Sequence, residues 1–96
     1  MQALEHLMGA YFHQDWIEDG GTVEDTVHAF LREPPAVTSQ AVNDIDTLLT
    51  SAHAEGELTE VLRRMGCDYY AGDSDDDYRQ WLLHVRHLLQ TAQAAS

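Results

Sequence analysis

Apolar residues recur at three- and four-residue steps along most of the chain, which is the spacing typical of amphipathic helices. The first two stripes comprise Leu4, Leu7, Met8, Tyr11 and Phe12, then Val23, Val27, Phe30 and Leu31. The other three comprise Val42, Ile45, Leu48 and Leu49; Leu58, Val61, Leu62 and Met65; and Tyr78, Trp81, Leu82, Val85, Leu88, Leu89 and Ala92. No alternating strand pattern occurs. The pattern therefore predicts an all-α fold, a compact bundle of about five short helices that forms a single domain over residues 1–96.

Polar and conformationally special residues mark where these helices should begin and end. Thr22 can cap the second helix, and Pro34-Pro35 should end it, because a residue before proline is pushed out of helical dihedrals. Thr38 or Ser39 is then the expected cap of the third helix. Gly66 is placed to stop the short fourth helix, since glycine adopts the left-handed conformation that helix ends require.

The charge balance of the chain is strongly acidic. It carries 17 Asp and Glu residues against 5 basic residues, for a formal net charge of −12, and every basic residue is arginine. Such a surface repels nucleic acid and anionic membranes, and it attracts cationic proteins. The first residues lack the basic and apolar pattern of a signal peptide, and no apolar run is long enough for a membrane span, so we expect a protein without a signal peptide and a cytoplasmic location. The lone Cys67 permits no intrachain disulfide.

Metal binding is not favoured by the available donors. Asp73, Asp75 and Asp77 alternate like the first ligands of a calcium loop, but Tyr78 and His84 stand where that loop needs Gly and Glu. The acids between 75 and 77 are better explained as helix-start residues that satisfy backbone amides. A zinc site at His84 and His87 would lack an evident third ligand. We therefore expect neither a metal nor a cofactor.

Catalysis is not favoured either. Cys67 follows a predicted helix C-terminus and precedes Asp68, and both features disfavour the reactive thiolate. His13 has no accompanying nucleophile, and Gly20-Gly21 lacks the lysine and spacing of a phosphate-binding loop. The sequence thus predicts a protein that is not an enzyme. A metal-dependent enzyme that uses the alternating aspartates or the histidines is the least favoured alternative.

Several motif islands resemble one protein family. They include the aromatic stretch Tyr11-Phe12-His13-Gln14-Asp15-Trp16 and the glycine turn that follows it. The other islands, in order, are 30–35 (FLREPP), Asp44-Ile45-Asp46 with Leu48-Leu49, 62–67 (LRRMGC), and 78–86 with Tyr78, Arg79, Trp81, Leu82, Val85 and Arg86. Together they resemble the helical immunity proteins of bacterial contact-dependent growth inhibition systems.

This resemblance implies a cytosolic protein that binds and blocks the toxic C-terminal domain of a delivered exoprotein. Toxins of such systems are often nucleases, so the expected partner is a cationic toxin domain. The charge agrees with this, because an enzyme that grips a polyanion presents a cationic groove that carboxylates can cover. The alternative is an acidic helical adaptor that binds another basic protein.

Two acidic loops are the candidate toxin-binding surfaces, because aromatic residues beside carboxylates are typical of interface hot spots. The first loop holds Asp15, Trp16, Glu18 and Asp19. The second holds Asp68, Tyr69, Tyr70, Asp73, Asp75, Asp76 and Asp77. The alternative is that Trp16 belongs to the core and that the acids are solvated helix caps.

Overall fold

The computed structural model describes residues 1–12, 22–51, 54–67 and 69–95, without the side chains of 93–95. Within these ranges the helices are α1 (Gln2–His6), α2 (Val23–Phe30), α3 (Pro35–Ser51), α4 (Glu57–Arg64) and α5 (Asp75–Ala95). A π-helical turn, Leu7–Tyr11, continues α1. No strand occurs in the described ranges, so the all-α prediction is confirmed. None of the described helices has the length and apolar character that crossing a bilayer requires.

The core lies where the apolar stripes of the helices meet. Helix α5 packs against α2, α3 and α4, while α1 packs against α3. Each stripe predicted from the sequence contributes buried side chains, among them Leu4, Leu7, Met8, Phe12, Val27, Phe30, Ile45, Leu58, Leu62, Leu82, Val85 and Leu89. Burial of apolar surface shared among these helices supplies the stability that helices this short lack when isolated.

Helix α2 begins as the sequence predicts. The side chain of Thr22 accepts a hydrogen bond of 3.0 Å from the backbone amide of Asp25, which satisfies one of the free amides of the first turn. The helix ends at Phe30, however, before the two prolines are reached. Its last residues are followed by a turn in which the Glu33 amide donates to the carbonyl of Phe30.

The prolines begin α3 instead of ending α2. Pro35 is the first residue of α3, and the Pro34 carbonyl accepts a hydrogen bond of 2.9 Å from the amide of Val37. Proline suits the first helical turn because its missing amide hydrogen would have no partner there. The predicted cap at Thr38 or Ser39 was therefore wrong, and Thr38 is buried within the helix.

Gly66 follows the last residues of α4 and stops the helix, as predicted. Gly66 has a φ of +94°, its amide donates to the carbonyl of Arg63, and the amide of Cys67 donates to the carbonyl of Leu62. These two hydrogen bonds form a Schellman motif. The turn lies against the π-helical segment, since a Cβ atom at Gly66 would lie 3.1 Å from the Cα atom of Gly9.

Substitution of Gly66 by alanine is expected to lower the free energy of unfolding by about 2 kcal/mol, through the left-handed backbone and the contact with Gly9. Gly56→Ala is the matched control. Gly56 also has a positive φ, of +83°, but an added Cβ would meet no atom within 4 Å. We expect about 1 kcal/mol for that variant, from the backbone alone. Urea unfolding of both variants measures the difference, and equal losses would show that the Gly9 contact contributes nothing.

The π-helical turn sends two consecutive aromatic residues into different clusters. Tyr11 packs edge-on against Phe30, with ring centroids 5.3 Å apart. Phe12 packs edge-on against Trp81 of α5 at 5.0 Å. The first two residues of the aromatic motif thereby fasten the end of the π-helical turn to α2 and to α5, so this part of the motif is structural.

Carboxylates also join the helices. Asp44 is buried in α3 and accepts a hydrogen bond of 3.2 Å from the amide of Leu4, so it caps α1 from a neighbouring helix. Asp46 of α3 binds the guanidinium of Arg86 on α5 through two hydrogen bonds of 2.6 and 3.1 Å. Part of the acidic excess therefore stabilises the tertiary structure and is not simply solvated surface.

Candidate functional site

The two predicted acidic loops differ in what the structure describes of them. Asp15, Trp16, Glu18 and Asp19 of the first loop lie outside the described residues, as do His13 and, in the second loop, Asp68. The remaining candidates of the second loop are described, and they run from Tyr69 to the first turn of α5. The site is therefore built from this second loop.

The second loop forms one wall of a cleft whose other wall is the start of α4. The cleft has a volume of about 500 Å³ and is open to solvent. Its lining contains five carboxylates and one guanidinium: Glu55, Glu60, Asp73, Asp75 and Asp76, with Arg63, together with Gly56, Thr59 and Ser74. We call this feature the acidic cleft.

Asp75 holds the two walls of the acidic cleft together. Its Oδ2 atom accepts hydrogen bonds from the amides of Gly56 (2.8 Å) and Leu58 (3.3 Å). Its Oδ1 atom accepts from the amide (3.1 Å) and the hydroxyl (2.5 Å) of Thr59. Gly56 has no side chain that could cap α4, so a carboxylate at the start of α5 satisfies the amides at the start of α4.

These hydrogen bonds also set the ionisation of Asp75. Partial burial by itself would raise the pKa of Asp75, but the hydrogen bonds from Thr59, Leu58 and Gly56 together outweigh burial and hold the pKa below its ordinary value. A carboxyl whose pKa is lower in the folded state stabilises the fold above its unfolded pKa. This contribution is lost as the pH falls below about 4 and the carboxylate becomes protonated.

Asp77 is also occupied by local structure. Its Oδ2 atom accepts from the amide (3.3 Å) and the hydroxyl (3.2 Å) of Ser74, while the Asp77 amide donates to the Ser74 hydroxyl (3.3 Å). This reciprocal arrangement is a capping box with aspartate in the place of the usual glutamate. The interpretation of these acids as helix-start residues thus describes Asp75 and Asp77 well.

The two tyrosines of the loop have different environments. The ring of Tyr69 is half-buried and stacks on Trp81, with centroids 4.7 Å apart and planes 20° apart. Tyr70 is 67% exposed, and its hydroxyl donates a hydrogen bond to Asp73. That hydrogen bond to a carboxylate raises the pKa of Tyr70. Tyr70 is consequently an aromatic surface residue held in place beside the acidic cleft, whereas Tyr69 supports the loop from the core.

Sequence reasoning missed the acids in the first turn of α4 and just before it. Glu55 and Glu60 line the cleft opposite Asp73 and Asp76, and all four are exposed. The sequence contains a signal for them, because three glutamates fall between 55 and 60 around a glycine. Nothing in the sequence, however, indicates that this segment lies beside the start of α5.

The other chemical candidates do not assemble into a reactive centre in the described ranges. His84 Nε2 lies 3.1 Å from Glu24 Oε1 on α2, and Cys67 is half-buried with its Sγ 3.9 Å from the carbonyl oxygen of Tyr69. Among the described residues, no group of three His, Cys, Asp or Glu side chains is arranged to hold a metal ion. What the acidic cleft offers is a concentration of negative charge, an exposed tyrosine and a rigid frame, which suit the binding of a cationic surface.

Replacement of Asp75 by alanine is expected to lower the free energy of unfolding by about 2 kcal/mol above pH 5, because the amides of α4 lose their cap. Asp76→Ala, which removes an exposed acid from the same turn of α5, should cost less than about 0.5 kcal/mol. Urea unfolding from pH 7 to pH 3 measures both variants. The deficit of the Asp75 variant should shrink below about pH 4, where the wild-type carboxylate also loses its charge. An equal deficit for the two variants would contradict the capping role.

The chain as a whole is similar to a known protein family and to a solved structure. A family model described as CdiI immunity protein matches residues 1–89. One chain of the crystal structure of a CdiA-CT/CdiI complex from Y. kristensenii 33638 is 27% identical in sequence, and the match covers 92% of this chain and 96% of that chain with a TM-score of 0.79. Among curated proteins, none matches the chain significantly. The acidic cleft and the aromatic residues around Phe12 both lie within residues 1–89, which the family model matches.

Proposed function

The chain belongs to the CdiI immunity protein family, and we propose on that basis that it binds and neutralises the cognate C-terminal toxin domain of a contact-dependent growth inhibition exoprotein. The observation that carries this proposal is the family match over residues 1–89. The similarity to a chain from a CdiA-CT/CdiI complex, at 27% identity over 92% of this chain, supports a partner of the same kind. The protein acts by binding in the cytoplasm of the cell it protects, without catalysis and without a cofactor.

The partner is a cationic toxin domain, and specifically a nuclease. The net charge of −12 supports this, because nucleases bind a polyanion through a basic groove and an acidic protein can occupy that groove. Complementary charge raises association rates from about 10⁵–10⁶ to 10⁸–10⁹ M⁻¹s⁻¹ at low salt. Fast capture benefits the cell, since an uninhibited nuclease does damage until it is bound.

The acidic cleft is the part of the toxin-binding surface that the described residues form. Asp73 and Asp76, with Glu55 and Glu60, supply the charge that meets basic side chains of the toxin, and Tyr70 supplies an aromatic contact. Asp75, Asp77 and Tyr69 act by positioning the loop. The other part of the proposed surface comprises Asp15, Trp16, Glu18, Asp19 and Asp68.

Co-expression with the toxin domain encoded beside this gene tests the function. The chain should restore growth to cells that produce the toxin domain, and the purified proteins should form a one-to-one complex. A matched control is an unrelated toxin domain of the same type, from which the chain should give no protection. Failure to bind the neighbouring toxin domain, combined with equal capture of unrelated basic proteins, would overturn the proposal in favour of an acidic adaptor.

A further inference from the structure

A second groove, which shares no residue with the acidic cleft, lies between α1 and the start of α3. It has a volume of about 330 Å³ and is open to solvent. Its apolar lining comes from Ala3 on α1 and from Ala36 and Val37 on α3. Its polar lining includes Gln40 on α3 and Glu33, which lies in the turn between α2 and α3. We call this feature the α1–α3 groove, and it combines an aliphatic surface with a carboxylate.

Glu33 is held in a fixed orientation by two donors. Nε2 of His6 and the hydroxyl of Tyr11 both donate to its Oε1 atom, each at 2.9 Å. The side chain of Glu33 is 27% exposed. The hydrogen bonds from His6 and Tyr11 lower the pKa of Glu33, so the carboxylate is ionised at neutral pH. Within the described ranges, no residue donates to Oε2 and no arginine pairs with Glu33, so one oxygen is available to a donor from another molecule.

We propose that the α1–α3 groove takes a lysine side chain of the toxin domain, with the ammonium group at Glu33 and the methylene stem along the aliphatic lining. This inference rests on the proposed function, and it adds a contact region beyond the acidic cleft. Tyr11, which holds Glu33, precedes Asp15 by four positions in the sequence. The groove is therefore adjacent, along the chain, to the first predicted toxin-binding loop.

The carboxylate favours an ammonium group over a guanidinium. Arginine binds a carboxylate best through two parallel hydrogen bonds, one to each oxygen. Oε1 of Glu33 already accepts from His6 and Tyr11, so Oε2 alone is available for a strong contact. An ammonium group is a compact charge that needs only one of the two oxygens. Gln40 supplies a further acceptor on the same groove, because its Nε2 atom donates to Asp44 (2.8 Å) and its Oε1 atom accepts from no described residue.

The rest of the groove suits the stem of a lysine. Its four methylene groups gain from contact with aliphatic surface while the charged end keeps part of its hydration. No basic residue of this chain other than a histidine lines the groove, and the chain contains no lysine at all, so no internal ammonium or guanidinium group competes for the site. The net charge of −12 adds a long-range attraction for a basic partner. Because Glu33 is already oriented, its side chain loses little conformational entropy on binding.

A zero-length carbodiimide cross-link tests the contact directly. The carbodiimide activates a carboxyl group, and a lysine amine in contact with it displaces the activating group to form an amide, whereas a guanidinium does not react. The absence of lysine from this chain means that any lysine joined to Glu33 belongs to the partner. In the complex of the full chain with the toxin domain encoded beside its gene, we expect mass spectrometry to find a peptide that joins Glu33 to a toxin lysine.

Dissociation rates give an independent measurement. Glu33→Gln keeps an acceptor for His6 and Tyr11 but removes the charge, and Ala36→Leu fills part of the groove from an exposed position. Each variant is expected to dissociate from the toxin domain about 5- to 20-fold faster than wild type. Glu5→Gln is the matched control, since it makes the same change of charge at an exposed position of α1 that does not line the groove. It should change the dissociation rate by less than about 2-fold, and urea unfolding checks that all three variants are folded.

The outcomes separate this inference from the function on which it rests. A wild-type chain that fails to bind the toxin domain would overturn both. A complex that forms and protects cells, but gives no peptide joining Glu33 to a lysine, would overturn the lysine contact and leave the function intact. Dissociation of Glu33→Gln and Ala36→Leu at the rate of Glu5→Gln would have the same consequence, because the groove would then lie outside the interface.

Discussion

Replacement of Phe12 by alanine is expected to lower the free energy of unfolding by about 3–5 kcal/mol, enough to unfold a substantial fraction of a domain of this size. The side chain of Phe12 is completely buried. It packs edge-on against Trp81 at 5.0 Å and against Tyr69 at 6.0 Å, so its removal leaves a cavity where α5, the π-helical turn and the second acidic loop meet. Urea or thermal unfolding followed by circular dichroism measures the loss.

Tyr70→Ala is the control for this variant, because it removes an aromatic ring of similar size that is 67% exposed. It should change stability by less than about 0.5 kcal/mol while weakening the binding of the toxin domain. Phe12→Leu should recover part of the lost stability by filling part of the cavity. A Phe12→Ala variant as stable as Tyr70→Ala would contradict the structural role assigned to this part of the aromatic motif.

The helices were predictable from the sequence because the apolar residues of each stripe repeat with the period of an α-helix, and the structure buries side chains of every stripe in the core. The start of α3 was not, because Pro34-Pro35 carries two compatible meanings. A proline pair excludes the helix from the residue before it, and it also suits the first turn of the helix after it. The structure shows which meaning applies: α2 already ends at Phe30, before the prolines, and α3 begins at Pro35.

The composition of the second loop was predictable, whereas the division of roles within it was not. Asp75 caps amides that lie 16 to 19 residues away, and the local sequence contains no sign of this partner. Tyr69 and Tyr70 are adjacent and chemically identical, yet one stacks on Trp81 and the other faces solvent. These roles depend on tertiary contacts, which the local sequence does not reveal. A list of acidic and aromatic residues therefore overestimates the number of residues that can contact a partner.

The loop that carries the acidic cleft is also part of the core. Tyr69 stacks on Trp81, Phe12 packs against both rings, and Asp75 ties the start of α5 to α4. Because these contacts fix the backbone on both sides of Tyr70 and Asp73, the exposed groups are held in place before any partner arrives. A preorganised surface loses less conformational entropy on binding, which makes a small charged patch more effective.

Simultaneous replacement of Glu55, Glu60, Asp73 and Asp76 by their amides is expected to slow association with the toxin domain by about 10- to 100-fold at low salt. The four side chains are exposed and line one cleft, so their fields add where a basic groove would approach. Stability should change by less than about 1 kcal/mol, because Asp75, which caps α4, is retained. Stopped-flow or biosensor kinetics at several salt concentrations measure the effect, and the difference from wild type should shrink as salt screens the charges.

Two double variants test whether the position of the acids, and not the net charge of the protein, sets the association rate. Glu55→Gln with Asp76→Asn removes one glutamate and one aspartate from the cleft, and Glu5→Gln with Asp25→Asn removes the same pair from exposed positions on α1 and α2. The two double variants have equal net charge, so a long-range effect of net charge would slow both to a similar extent. We expect the cleft variant to lose about 5- to 10-fold in association rate and the other less than about 2-fold. Equal rates would mean that the toxin is attracted by the protein as a whole and docks on a surface other than the acidic cleft.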